Sequence, residues 1–147
     1  MNIKKVVVIG SGTMGSGIAA HLCNANIPVT LLDLKTEISE QARDRIYKSR
    51  PPLLLDKSKI DNIKVGNISD NFDEVKEADW VVEAVVERID IKHDIYKKIF
   101  EERKKGAIVS SNTSSIPIKV LSQYLSEEEK KDFCITHFLI QLDIWVY

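Results

Sequence analysis

Short apolar runs alternate with amphipathic stretches along the chain. "VVVIG" (residues 6–10) and "IPVTLLD" (residues 27–33) are continuous and rich in β-branched side chains. That is the pattern of parallel strands covered by helices on both faces. "WVVEAVV" (residues 80–86) and "AIVSS" (residues 107–111) repeat it. Between the last two, Ile91, Ile95 and Ile99 recur every fourth residue with Tyr96 and Phe100 beside them, which predicts one apolar face of a helix. Its other face carries the lysines and glutamates of "KK" and "EERKK". Strand and helix in this alternation predict right-handed crossovers and a Rossmann-type α/β fold, a doubly wound parallel sheet. Residues 62–72, "NIKVGNISDNF", are polar and turn-rich around a short strand, and are expected to form an elaborated connection within the same domain.

Composition narrows the class. At 147 residues and 44% hydrophobic content, the chain has the size of one ordinary domain and can bury a real core. Its 21 basic and 22 acidic residues nearly cancel, and neither sign collects in a block, which removes the electrostatic case for nucleic acid or an anionic membrane. A small-molecule partner is the expectation. Cys23 and Cys134 show no metal spacing and sit in apolar contexts, so both are expected as buried thiols, with no metal site. The apolar run at residues 6–9 follows two lysines, as in a secretory leader, but it is short and breaks at Gly10. No stretch reaches the roughly 20 apolar residues that cross a bilayer. A cytoplasmic protein is the expectation.

The opening "VVVIGSGTMGSGI" places Gly10, Gly12 and Gly15 in the pattern G-x-G-x-x-G, directly after a strand and at the start of a helix. In this reading Gly10 makes the tight turn, Gly12 admits a pyrophosphate to the backbone, and Gly15 lets the helix pack closely. The phosphates meet free N–H groups at the helix N-terminus. The second strand ends in Asp33, about where a dinucleotide fold places the acid that holds the adenosine ribose hydroxyls. A carboxylate there repels a 2′-phosphate, so NAD is expected over NADP, with Lys35 as the one counter-indication.

Two later segments are more specific. "DWVVEAVVERIDIKHDIYKKI" and "AIVSSNTSSIPI", followed by "THF", resemble the NAD-binding domain of the 3-hydroxyacyl-CoA dehydrogenases of fatty-acid β-oxidation. The resemblance runs from about residue 4 to residue 138 and keeps the family's motifs in order. It implies that Gly10, Gly12 and Gly15 cradle the pyrophosphate and that Asp33 holds the adenosine ribose. It implies further that Ala84, Glu87 and Lys92 surround the nicotinamide half, where the alternative for Glu87 and Lys92 is an ordinary surface pair. Ser114 matches the serine that touches both cofactor and reacting oxygen. Its other role would be to cap, with Ser115 as the alternative, a helix holding Pro117 in its first turn. His137 matches the catalytic base; His21 and His93 fall on helices, where packed or solvated roles are expected. Oxidising a secondary 3-hydroxyl needs such a base to take the hydroxyl proton while hydride leaves C3, and histidine titrates near working pH.

The chain departs from that family after Phe138. Leu139 and Ile140 replace the expected phenylalanine and asparagine, and neither the glutamate that orients the histidine nor the helical C-terminal domain follows. Residues 1–138 are therefore expected as an NAD-binding domain and residues 139–147 as a divergent apolar tail, from truncation, a frame change or an added terminal strand. Three readings follow: a dehydrogenase that takes its acyl-CoA substrate only when another chain supplies the helical domain, a non-catalytic NAD-binding module, or a decayed remnant. β-Hydroxyacid dehydrogenases, which share a similar "GSGTMG" opening, are the runner-up. The sheet face left bare by a missing domain would favour self-association.

Overall fold

The structure is a computed structural model and describes residues 2–139. Its centre is β1 (Val6–Ile9), all four residues of which are fully buried. Parallel pairing places β2 (Val29–Asp33) on one side of β1 and β4 (Trp80–Glu83) on the other. β3 (Ile63–Asn67), β5 (Ile108–Ser111) and β6 (Phe133–Ile135) complete a six-stranded parallel sheet of order β3-β2-β1-β4-β5-β6. The order reverses between β1 and β4, which opens a crevice at the carboxyl ends of the strands. The doubly wound fold is as the alternation predicts.

Alternate residues of each strand feed two cores, since successive side chains point to opposite faces. Val6 and Val8 pack with Ile18, Ala19 and Leu22 of α1 (Thr13–Asn24) and with Ala42 and Ile46 of α2 (Thr36–Lys48). Val7 and Ile9 pack with Ile95, Tyr96 and Ile99 of α3 (Ile89–Glu102) and with Leu121 of the short α4 (Ile118–Leu121). α5 (Glu127–Lys130) is fixed by a capping box in which Ser126 and Glu129 satisfy each other's backbone N–H.

The short strand expected within residues 62–72 is the edge strand β3, in register with β2 from Val29–Ile63 to Asp33–Asn67. Three expectations need correction. β4 stops at Glu83 rather than running on through "AVV". Ala84 N still donates to the Ile9 carbonyl at 2.8 Å, and Val85 N is then captured by the Glu83 side chain at 2.8 Å. Pro117 lies outside the first turn of α4: it is extended (φ −61°, ψ 143°) and is the N-cap. Cys134 is only half-buried, while Cys23 is buried and donates to the Lys59 carbonyl at 2.9 Å. Residues 140–147, which hold most of the expected tail, lie outside the described residues. No helix among the described residues is long and apolar enough to cross a membrane.

The amino end of the sheet is tied by Asp79. Its carboxylate accepts from Lys4 N (2.7 Å), Lys5 N (3.1 Å) and Lys104 Nζ (2.6 Å), joining the strands on either side of the crevice. The Lys104 hydrogen bond, helped by those of the backbone, holds its carboxyl down at about 2. A carboxyl depressed by folding contributes stability above its ordinary value and loses it as pH falls through the folded value. The denaturant midpoint should therefore fall as pH drops from 3.8 towards about 2, and Asp79→Asn should flatten that dependence in urea titrations.

Candidate cofactor and active site

After β1 the chain reverses at Gly10, whose φ is +102°, and a Cβ there would collide with the Ala84 carbonyl. Both facts demand glycine. Gly15 is equally constrained, because a Cβ would overlap the Gly10 carbonyl, so α1 rests directly on the turn. Gly12 differs: a Cβ would meet nothing within 4 Å. It is the N-cap of α1, makes no side-chain cap bond, and has no acidic residue in the turn that follows. No side chain caps the first N–H groups of this twelve-residue helix, and the space beside Gly12 is open, as an anion site requires.

Asp33 closes β2 beside this turn. Its Oδ2 accepts from Ser11 N at 2.7 Å and from the Ser11 hydroxyl at 2.6 Å, and Oδ1 accepts from Leu34 N at 2.7 Å. Between the turn and α3 lies a cleft of about 340 Å³. Gly10, Gly12, Asp33 and Ala84 line it, and Leu34, Ile38 and Val86 turn apolar surface into it. Leu34 is 74% and Val86 61% exposed; uncovered apolar side chains at the rim of a crevice suit a flat apolar ligand group such as adenine.

The other wall is built around a residue that sequence reasoning passed over. Glu83, at the end of β4, is fully buried. Its carboxylate accepts from Lys92 Nζ (2.7 Å), Val85 N (2.8 Å), Tyr96 OH (2.6 Å) and Ser111 Oγ (2.6 Å). Burial and the adjacent Glu83 charge push the Tyr96 hydroxyl well above its ordinary range, so it stays a donor. Lys92 is itself fully buried and reaches Glu87 at 3.1 Å. Glu87 and Lys92 do pair, then, but the lysine lies in the interior and the surface-pair alternative falls. Partial burial pushes the Glu87 carboxyl up, and Thr113, Lys92 and Ser115 outweigh that to hold it below its usual value.

Glu87 in turn fixes the segment that carries Ser114. Its Oε2 accepts from the Thr113 hydroxyl at 2.6 Å and the Ser115 hydroxyl at 3.0 Å. Thr113 Oγ1 then accepts from Ile116 N at 3.2 Å, which closes the turn before α4, and no side chain caps that helix, Ser114 and Ser115 included. Ser114 is left exposed. It lines an open groove together with Thr113, Ser115, Ile116 and His137, so the structure brings the two expected catalytic side chains to one place. His137 is held from both sides: Thr136 N donates to the Ser111 carbonyl at 3.1 Å, and Phe138 N to Asn112 Oδ1 at 3.2 Å. The Phe138 ring stacks on Trp80 at 6.2 Å and meets His21 edge-on. His93 lies elsewhere, against the Val120 carbonyl at 2.8 Å.

A glycine turn under open helix N–H groups, an acid at the end of the second strand and an apolar slot between them define a dinucleotide-binding domain. The family described as "3-hydroxyacyl-CoA dehydrogenase, NAD binding domain" matches residues 5–144, and the chain belongs to that family. It is 41% identical over 145 residues to a probable 3-hydroxyacyl-CoA dehydrogenase of Deinococcus radiodurans, covering 94% of this chain and 42% of that protein. It is also 41% identical over 143 residues to a putative fatty acid oxidation complex trifunctional enzyme of Rickettsia felis, covering 92% of this chain and 20% of that one. Among solved structures, 3-hydroxybutyryl-CoA dehydrogenase of Escherichia coli superposes with a TM-score of 0.81 at 26% identity, over 94% of this chain and 30% of that protein. The chain thus spans less than half the length of each of these relatives.

The glycines separate fold from binding. Gly12→Ala meets no atom and sits at φ −65°, so its unfolding free energy should stay within about 0.5 kcal/mol of the parent while NAD affinity drops at least about tenfold. Gly15→Ala should lose about 3 kcal/mol or more by overpacking. Chemical denaturation and calorimetric titration read the two effects apart.

Proposed function

We propose that this chain is the cofactor-binding half of an NAD-dependent 3-hydroxyacyl-CoA dehydrogenase, with Ser114 and His137 as the groups that meet the substrate. The observation that carries it is the shared groove of Ser114 and His137, joined through Glu87 to the wall of the cofactor cleft. Gly12 and the first N–H groups of α1 bind the pyrophosphate, and Asp33 takes the ribose hydroxyls. Bound NAD supplies the two-electron acceptor. His137 holds the position from which an imidazole nitrogen takes the proton of a 3-hydroxyl. In this reading Ser114 Oγ donates to the same oxygen and stabilises the charge that grows on it. Glu87, with Lys92 beneath it, borders the nicotinamide end.

Turnover needs more than the described residues hold. The backbone contacts that position His137 come from Ser111 and Asn112, and a catalytic histidine gains orientation and stabilisation of its charged form from a carboxylate partner. We therefore assign cofactor binding to the described residues and oxidation of 3-hydroxyacyl-CoA to these residues together with a helical domain of the family's kind.

Saturating NAD should stabilise the chain by about 2.7 kcal/mol at a hundred times its Kd, seen as a rise in melting temperature that Asp33→Ala abolishes. With a relative's helical domain added in trans, reduction of NAD by a short 3-hydroxyacyl-CoA should appear, and His137→Gln should remove it while leaving the thermal shift. Stabilisation without turnover under complementation would instead favour a non-catalytic NAD-binding module.

A further inference from the structure

His137 lies beyond the regular sheet. The last ladder pair of β5 and β6 is Ser111–Ile135, so the histidine stands two residues past it. Its two neighbours, Thr136 and Phe138, both lead to one side chain on β4. The Phe138 ring stacks on the Trp80 indole, with centroids 6.2 Å and planes 23° apart. The Thr136 hydroxyl donates to Ser110 Oγ at 2.9 Å, and the Trp80 indole N–H donates to the same oxygen at 2.8 Å. Ser110 is fully buried, and a hydroxyl offers two acceptor positions, both of which are taken here. Trp80 is in turn anchored in the sheet, paired with Val6 of β1 on one side and Ile108 of β5 on the other.

We propose that Trp80 is a positioning residue for His137: it fixes Thr136 through Ser110 and Phe138 by stacking, and thereby the imidazole between them. The inference rests on reading His137 as the group that takes the substrate proton. Two backbone hydrogen bonds already hold this segment, from Thr136 N to the Ser111 carbonyl and from Phe138 N to Asn112 Oδ1. Two points leave rotation about the line that joins them, and the side-chain contacts at Thr136 and Phe138 supply the further points that remove it. His21, on α1, meets the Phe138 ring edge-on at 6.4 Å, so that ring is held on two sides. A catalytic group must keep within about 0.5 Å of its productive geometry, and this is best done from a rigid element. The half-buried Trp80 on a central strand is such a support.

Backbone 15N relaxation of the whole chain tests this, with Trp80→Leu and the milder Trp80→Phe, which keeps a ring to stack and loses the N–H. In the parent, residues 136–138 should show order parameters near the rigid value of about 0.85, and Trp80→Leu should lower them below about 0.6 while residues 81–83 of the same strand keep theirs. Trp80→Phe should fall between the two, and Ser110→Ala should loosen Thr136 more than Phe138. Melting curves establish which variants are folded. With a relative's helical domain added in trans, Trp80→Leu should lower kcat by at least about tenfold and leave KM for NAD unchanged. The proposal is overturned if residues 136–138 keep the parent's order in every folded variant, or if they are already loose in the parent. Loosening in Trp80→Leu together with turnover that survives His137→Gln would instead uphold the positioning and overturn the reading of His137 as the base.

Discussion

A carboxylate buried in the middle of a sheet is tolerable only when every lone pair has a donor, and Glu83 meets that condition. Its donors come from the following loop, from two positions on α3 and from β5. An unpaired charge at such a site would cost several kcal/mol, so these segments have one acceptable arrangement. The consequence reaches outward in steps. Lys92, neutralised by Glu83, positions Glu87; Glu87 holds the Thr113 and Ser115 hydroxyls; that turn presents Ser114 beside His137. The groove that holds Ser114 and His137 is thus built on a buried contact.

The cofactor side repeats the device in a different setting. Asp33, like Glu83, closes a strand and captures a backbone N–H of the loop that follows, Leu34 N in one case and Val85 N in the other. Each capture ends the ladder and turns the chain outward at the crevice. The difference is burial. Glu83 is sealed by interior donors, whereas Asp33 lines the cleft and is held by the glycine turn. One crevice therefore has two acidic strand ends, one buried and one open to the cleft.

Much of this was legible because glycine geometry and apolar periodicity are local. Gly10 and Gly15 carry the turning and packing duties their spacing implies, and four of the six strands announce themselves as β-branched runs. β3, with mixed burial at an edge, has no such run. The Glu83–Lys92 pair escaped notice because charge was equated with surface. Two signals were nevertheless present: Glu83 interrupts an apolar strand, and Lys92 shares the helical stripe of Tyr96 and Ile99, at spacings of four and seven. Thr113 held by Glu87, and Arg45 reaching Ser11, depend on contacts between distant segments that no single stretch encodes.

The most direct measurement is a double-mutant cycle in unfolding free energy over Glu83→Gln, Lys92→Met and the pair together. If the buried ion pair organises the crevice, each single change leaves an uncompensated group and loses about 3–5 kcal/mol, while the double variant loses no more than the worse single one. Losses that simply add, or single variants within about 0.5 kcal/mol of the parent, would contradict it.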